Sequence, residues 1–130
     1  ERRYELMADI LAAAVADGHE PARDVATRLA YRRGQQVAAH RPAGGDLLGV
    51  LTELGFEPSP EIDAISLRNC PFHALAARHT ALVCGLNKAF VSGLVDGSGV
   101  AGTEAVLAPG PGRCCVRLRT GQEGAGGSFG

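Results

Sequence analysis

The residues in this chain whose chemistry could exceed packing are its four cysteines: Cys70, in the stretch Asn69-Cys70-Pro71-Phe72-His73, then Cys84, then the pair Cys114-Cys115. Thirteen residues separate Cys70 from Cys84 and twenty-nine separate Cys84 from Cys114. That is neither a zinc-ribbon nor a zinc-finger spacing, so their role depends on how the fold gathers them. Thiolates are soft ligands. Cys70, Cys84 and Cys114, with His73 or His79 as a fourth donor, could hold zinc tetrahedrally. Three cysteines with a non-cysteine position could instead hold an iron–sulfur cluster. The bland alternative is that they are small buried apolar residues, since free cysteine is among the most buried types.

Cys114 and Cys115 alternate across a strand, so only one of them can face the helices. Cys114 shares its side with Val116 and Leu118, and Cys115 shares its side with Arg117 and Arg119. Cys114 is therefore the inward candidate and Cys115 a packing residue. Catalytic patterns are poorly represented. There is no Ser/His/Asp set at a recognisable elbow and no phosphate-cradling glycine loop opening a helix after a strand. The expectation is a protein that is not an enzyme. A thiol enzyme using Cys70 activated by His73 stands as the remote alternative.

The elements that must position these residues follow from periodicity. A first helix over 3–17 carries Tyr4, Met7, Ile10, Leu11, Ala14 and Val15 on one face and ends at Gly18. A second runs from Pro21 to Ala39, with a small-residue face of Ala22, Val25, Ala26, Leu29, Ala30 and Val37 and a basic band of Arg28, Arg32 and Arg33, read as a solvated helix face. Arg41–Gly45 is a loop, Asp46 caps a short helix to Leu54, and Gly55 closes it. Phe56–Pro60 reads as a short edge strand and turn, and Ile62–Arg68 as a strand. Asn69 is placed to cap the next helix, with Pro71 in its first turn, which would set Cys70 at a helix N-terminus where backbone N–H groups favour a thiolate. Thr80 is placed to cap a further helix to about Val95. Strands over 103–108 and 114–119 are joined by Pro109-Gly110-Pro111-Gly112 as an antiparallel hairpin. The order is not strictly alternating. It points to an α+β domain over 1–119, an antiparallel sheet of about four strands packed against helices, with an N-terminal helical dimerisation segment and a flexible Gly-rich tail over 120–130.

Composition sets the outer bounds. The 130 residues are 45% hydrophobic and only 5% aromatic, with no Trp, so one modest aliphatic core is expected. Thirteen basic and fourteen acidic residues give a formal charge of -1, which argues against strong nucleic-acid binding by this segment itself. No apolar run approaches membrane-spanning length and no signal peptide is visible, so a cytoplasmic setting and no membrane partner are expected. The chain opens at Glu1 directly into a helical pattern, which reads as a segment preceded by more protein.

Three blocks carry a resemblance: Leu67–His73, Leu82–Asn87 and Pro109–Val116. Together they resemble the C-terminal domain of actinobacterial winged helix-turn-helix transcriptional regulators, over most of residues 1–119. More distantly, the pattern is similar to the iron–sulfur-sensing repressor of cluster assembly, whose cluster ligands would fall on Cys70, Cys84 and Cys114 or Cys115. This chain departs from it in Pro71-Phe72-His73 after Cys70, in a slightly longer first spacing and in a cysteine pair where one is expected. The last helix and hairpin also resemble vinyl-4-reductase-like small-molecule-binding domains. The resemblance implies an effector-sensing and homodimerising domain of a transcriptional regulator, with DNA bound through a winged helix-turn-helix ahead of Glu1, with zinc or an iron–sulfur cluster on Cys70, Cys84, Cys114 and His73, or with a small-molecule effector. Helices one and two are the expected dimer surface. The alternative expectation is a stand-alone module that binds a small hydrophobic ligand between helices and sheet.

Overall fold

The architecture is five helices and one four-stranded antiparallel sheet, seen in a computed structural model that describes residues 2–17, 21–40, 46–110 and 114–120. The helices are α1 (Arg2–Asp17), α2 (Ala22–Ala39), α3 (Leu47–Leu54), α4 (His73–Arg78) and α5 (Thr80–Ser98). The strands are β1 (Pro58–Pro60), β2 (Ala64–Leu67), β3 (Thr103–Leu107) and β4 (Val116–Thr120), in the order β1-β2-β4-β3. This is the α+β class that the order of apolar periodicities implies. The expected turn at Gly18, the loop Arg41–Gly45 and the centre of the β3–β4 connection lie outside the described residues, as does the tail expected over 120–130 apart from Thr120, which ends β4.

The core is built around α5, a helix roughly 28 Å long at 1.5 Å per residue. One side of it packs on the inner face of the sheet, through Leu67, Ala105, Val116 and Leu118. Another side meets α2 at backbone distance. A Cβ on Gly34 would overlap the carbonyl oxygen of Phe90, and one on Gly93 would overlap that of Tyr31, so glycine is needed at both positions. The small face of α2, with Val25, Ala26, Ala30, Gly34 and Ala38 buried, is thus consumed by α5 of the same chain. The Tyr31 hydroxyl donates to the Asp96 carboxylate across the same pair, and this contact raises the Tyr31 pKa. In the basic band Arg33 is ion-paired to Asp9 of α1 at 2.5 Å.

Asp46 caps α3 by accepting from the Gly49 N–H at 2.8 Å, and Gly55 closes it in a left-handed conformation, φ 95°. Two other expected caps fall elsewhere. Asn69 does not cap a helix: its side chain donates to the Gly55 carbonyl at 2.7 Å. Helix α4 starts only at His73, with Phe72 in the cap position and no side-chain cap. Thr80 lies inside α5, its hydroxyl donating to the Ala76 carbonyl, and His79 is the cap residue. In both cases the polar side chain donates to a backbone carbonyl instead of accepting from a helix N–H.

Candidate functional site

The site grows from the corner after β2. Backbone bonds from Arg68 N to Glu57 O and from Asn69 N to Phe56 O extend the pairing past Leu67, and the Asn69 side chain pins the corner to the end of α3. The chain then turns, His73 N donating to Cys70 O, and drops the Cys70 side chain inward. Cys114 arrives from the other direction. Its N–H donates to Leu67 O at 2.8 Å, which fixes the lead into β4 beside the end of β2, while Ala108 N donates to Cys115 O. Helix α5 supplies the third wall with Cys84 and Asn87, three residues apart and so on one helix face.

Asn87 is the centre of the arrangement. It is the buried polar residue among the described side chains, with no solvent exposure. Its Nδ2 donates to Cys114 Sγ at 3.2 Å and reaches Cys70 Sγ at 3.8 Å. Its Oδ1 is buried without a partner. An unpaired buried acceptor costs about 1–3 kcal/mol, so the side chain is held there at the expense of stability. Cys84 and Cys115 are joined as a disulfide, with their Cα atoms 6.2 Å apart, linking α5 to the start of β4. Cys70 and Cys114 are free and buried.

The two thiols differ in chemistry. The Cys114 side chain beside it, as a hydrogen-bonding neighbour, lowers the Cys70 pKa to about 7; burial opposes the shift and a backbone contact from Phe72 assists it. Cys114 is pushed up, first by that same bond with Cys70 and then by burial. Of the two, Cys70 is the more readily ionised. Helix α4 has only six residues and begins beyond Cys70, so the Cys114 thiol, and not a helix N-terminus, accounts for the ionisation.

Of the residues singled out for metal binding, the structure brings Cys70 and Cys114 together and places Cys84 in the same cluster but bonded to Cys115. His73 and His79 are exposed at the two ends of α4. Among the described residues no three His, Cys, Asp or Glu side chains group as metal ligands. With Cys84 bonded to Cys115, two thiols of the expected set, Cys70 and Cys114, remain free. Cys114 is the inward member of its pair, fully buried beside Val116 and Leu118. Cys115, read as a packing residue, is the partner of Cys84. Asn87 was not singled out by the sequence, although its position three residues after Cys84 put it on the cysteine face.

A cleft of about 250 Å³ lies between α5 and β3, but Lys88, Asp96 and Glu104 line it, where a hydrophobic effector needs apolar walls. No helix is long and apolar enough to cross a membrane among the described residues. Comparison with protein-family models, curated proteins and solved structures finds no match to this chain.

Proposed function

We propose that this chain is the effector-sensing domain of a cytoplasmic, homodimeric transcriptional regulator, and that its sensing element is the four-cysteine cluster around Asn87, which reads thiol redox state. The observation that carries this reading is the pairing itself. One disulfide and one thiol pair sit side by side, with a buried amide placed against the thiols. A disulfide in a cytosolic protein is usually a transient, redox-sensing one. The regulator half of the proposal rests on the resemblance carried by Leu67–His73, Leu82–Asn87 and Pro109–Val116.

Two routes lead from the cluster toward the N-terminal helices. The Phe72 ring, two residues after Cys70, meets the Tyr4 ring of α1 edge-on at 6.3 Å. Helix α5, which holds Cys84 and Asn87, is locked to α2 at Gly34 and Gly93. Breaking the Cys84–Cys115 link frees α5 from the start of β4, and a change in its seating must be felt by α2. In the regulator this would alter the placement of the DNA-binding segments ahead of α1.

The test uses the whole protein that contains this chain, with a palindromic promoter fragment. DNA affinity after treatment with dithiothreitol and after treatment with diamide should differ by about tenfold, a coupling near 1.4 kcal/mol, and Cys84→Ser should remove the difference. Equal affinity in both states would refute redox sensing. One zinc per chain, or a brown absorbance, in anaerobically purified protein would make the reduced cluster a metal sensor instead.

A further inference from the structure

Cys70 and Cys114 are not accounted for by the disulfide beside them. Their sulfurs share one hydrogen-bond donor, Asn87 Nδ2, at 3.8 and 3.2 Å. Cys114 is fully enclosed, whereas Cys70 keeps 8% of its surface open, so a reagent entering from solvent meets Cys70 first. Cys84 and Cys115 are already joined, which leaves Cys114 as the thiol free to react with an oxidised Cys70. The unpartnered Asn87 Oδ1 in the same cluster is an acceptor suited to the O–H of a small incoming molecule.

We infer that Cys70 and Cys114 form a second dithiol–disulfide couple, in which Cys70 reacts with a hydroperoxide and Cys114 resolves the product. This rests on the redox-sensing reading and adds to it a second reacting pair and an effector class. In the first step the Cys70 thiolate attacks the terminal oxygen of the hydroperoxide. An S–O bond forms, the O–O bond breaks, and the departing alkoxide takes a proton from water to leave as an alcohol. In the second step the Cys114 sulfur attacks the Cys70 sulfur. An S–S bond forms, the S–O bond breaks, and the hydroxyl leaves as water with the Cys114 proton. Two thiols lose two electrons in total and one hydroperoxide gains them. The protein then holds two disulfides, both anchored at the end of the sheet.

The test reads the chemistry directly and not DNA binding. The full protein is exposed to hydrogen peroxide or to tert-butyl hydroperoxide, unfolded in the presence of iodoacetamide, digested without reductant and examined by mass spectrometry. The expected result is loss of alkylated Cys70 and Cys114 and appearance of a Cys70–Cys114 linked peptide, with Cys84–Cys115 unchanged. A Cys114→Ala variant should stop at the first step and yield a dimedone adduct on Cys70, which Cys70→Ser abolishes. Cys70 and Cys114 alkylated in full after both peroxides, or a dimedone adduct on another cysteine, would overturn the inference. If the link forms while DNA affinity ignores redox state, the regulatory reading fails and the couple stands. If the link does not form while DNA affinity still follows dithiothreitol and diamide, the couple fails alone.

Discussion

The amide nitrogen of Asn87 lies 3.2 Å from the sulfur of Cys114, and both residues are sealed from solvent. A polar side chain at that depth is normally satisfied at every atom, yet Asn87 Oδ1 has no partner. Its place in the core is therefore better explained by what its amide does for the sulfurs than by what it adds to stability.

Asn87→Leu separates those two roles. Leucine has a similar size and leaves no buried acceptor unpaired, while the sulfurs lose only a weak hydrogen bond. Chemical denaturation should show the variant as stable as the parent or more so, by about 1 kcal/mol. Its Cys70–Cys114 pair should be oxidised more slowly. A loss of several kcal/mol would mean that the amide is a structural requirement.

Cys70 gives the protein a pH dependence. Its folded pKa is about 7 against an ordinary value of 9.0, first because of the Cys114 side chain beside it as a hydrogen-bonding neighbour. A depressed acid binds fewer protons in the folded state than in the unfolded one, so its contribution to stability grows as pH rises from 7 to 9 and is absent below 7. Cys114, held protonated, works the other way only above the ordinary thiol value. Alkylation of Cys70 by iodoacetamide should accordingly be half-maximal near pH 7 and should move up in Cys114→Ala. A profile centred near 9 in the parent would contradict the hydrogen-bonded pair.

The disulfide closes a loop with a sequence separation of 31. Chain entropy assigns such a loop about 3–4 kcal/mol. Reduction, or a Cys84→Ser and Cys115→Ser double change, should lower the unfolding free energy by up to that amount, as read from urea midpoints. No change on reduction would mean that the pair is not bonded in solution.

The glycines of α5 should respond in opposite directions. At Gly93 a methyl group meets the α2 backbone, which cannot yield without parting the helices, so Gly93→Ala should destabilise by about 1–3 kcal/mol or more. Around Gly85 a new Cβ would meet nothing within 4 Å beyond its own stretch of helix, so Gly85→Ala should stabilise by about 0.5–1 kcal/mol through helix propensity. Thermal melts of the two variants check both signs.

Much of the fold was legible in the sequence because its signals are local. The apolar spacing of α1 and α5, the Asp46 cap with Gly55, and the inward side of β4 at Val116 and Leu118 each depend on neighbours in the chain. The displaced caps depended on carbonyls that lie before the expected helix starts, one fourteen residues back and one four. Asn69 found the Gly55 carbonyl and Thr80 found Ala76, and neither competitor is visible in a helix-start pattern. The small face of α2 reads in the sequence as a close-packing surface, and α5 is what packs on it. At the site, Cys70 lies at the expected corner and Cys84 on the expected helix, whereas Cys114, expected on the strand, lies in the lead just before β4. How the sulfurs pair was not legible, because Cys115 sits beside Cys114 in sequence and its direction depends on the geometry just before β4. Asn87 escaped notice because an asparagine on a long helix ordinarily faces solvent.

The most direct measurement is the pairing state of the four cysteines in protein isolated without reductant, by differential alkylation before and after unfolding followed by peptide mapping. The predicted result is a Cys84–Cys115 link, no reagent on Cys114 until the protein unfolds, and Cys70 labelled first. A Cys70–Cys84 link, or four thiols that label alike, would contradict it.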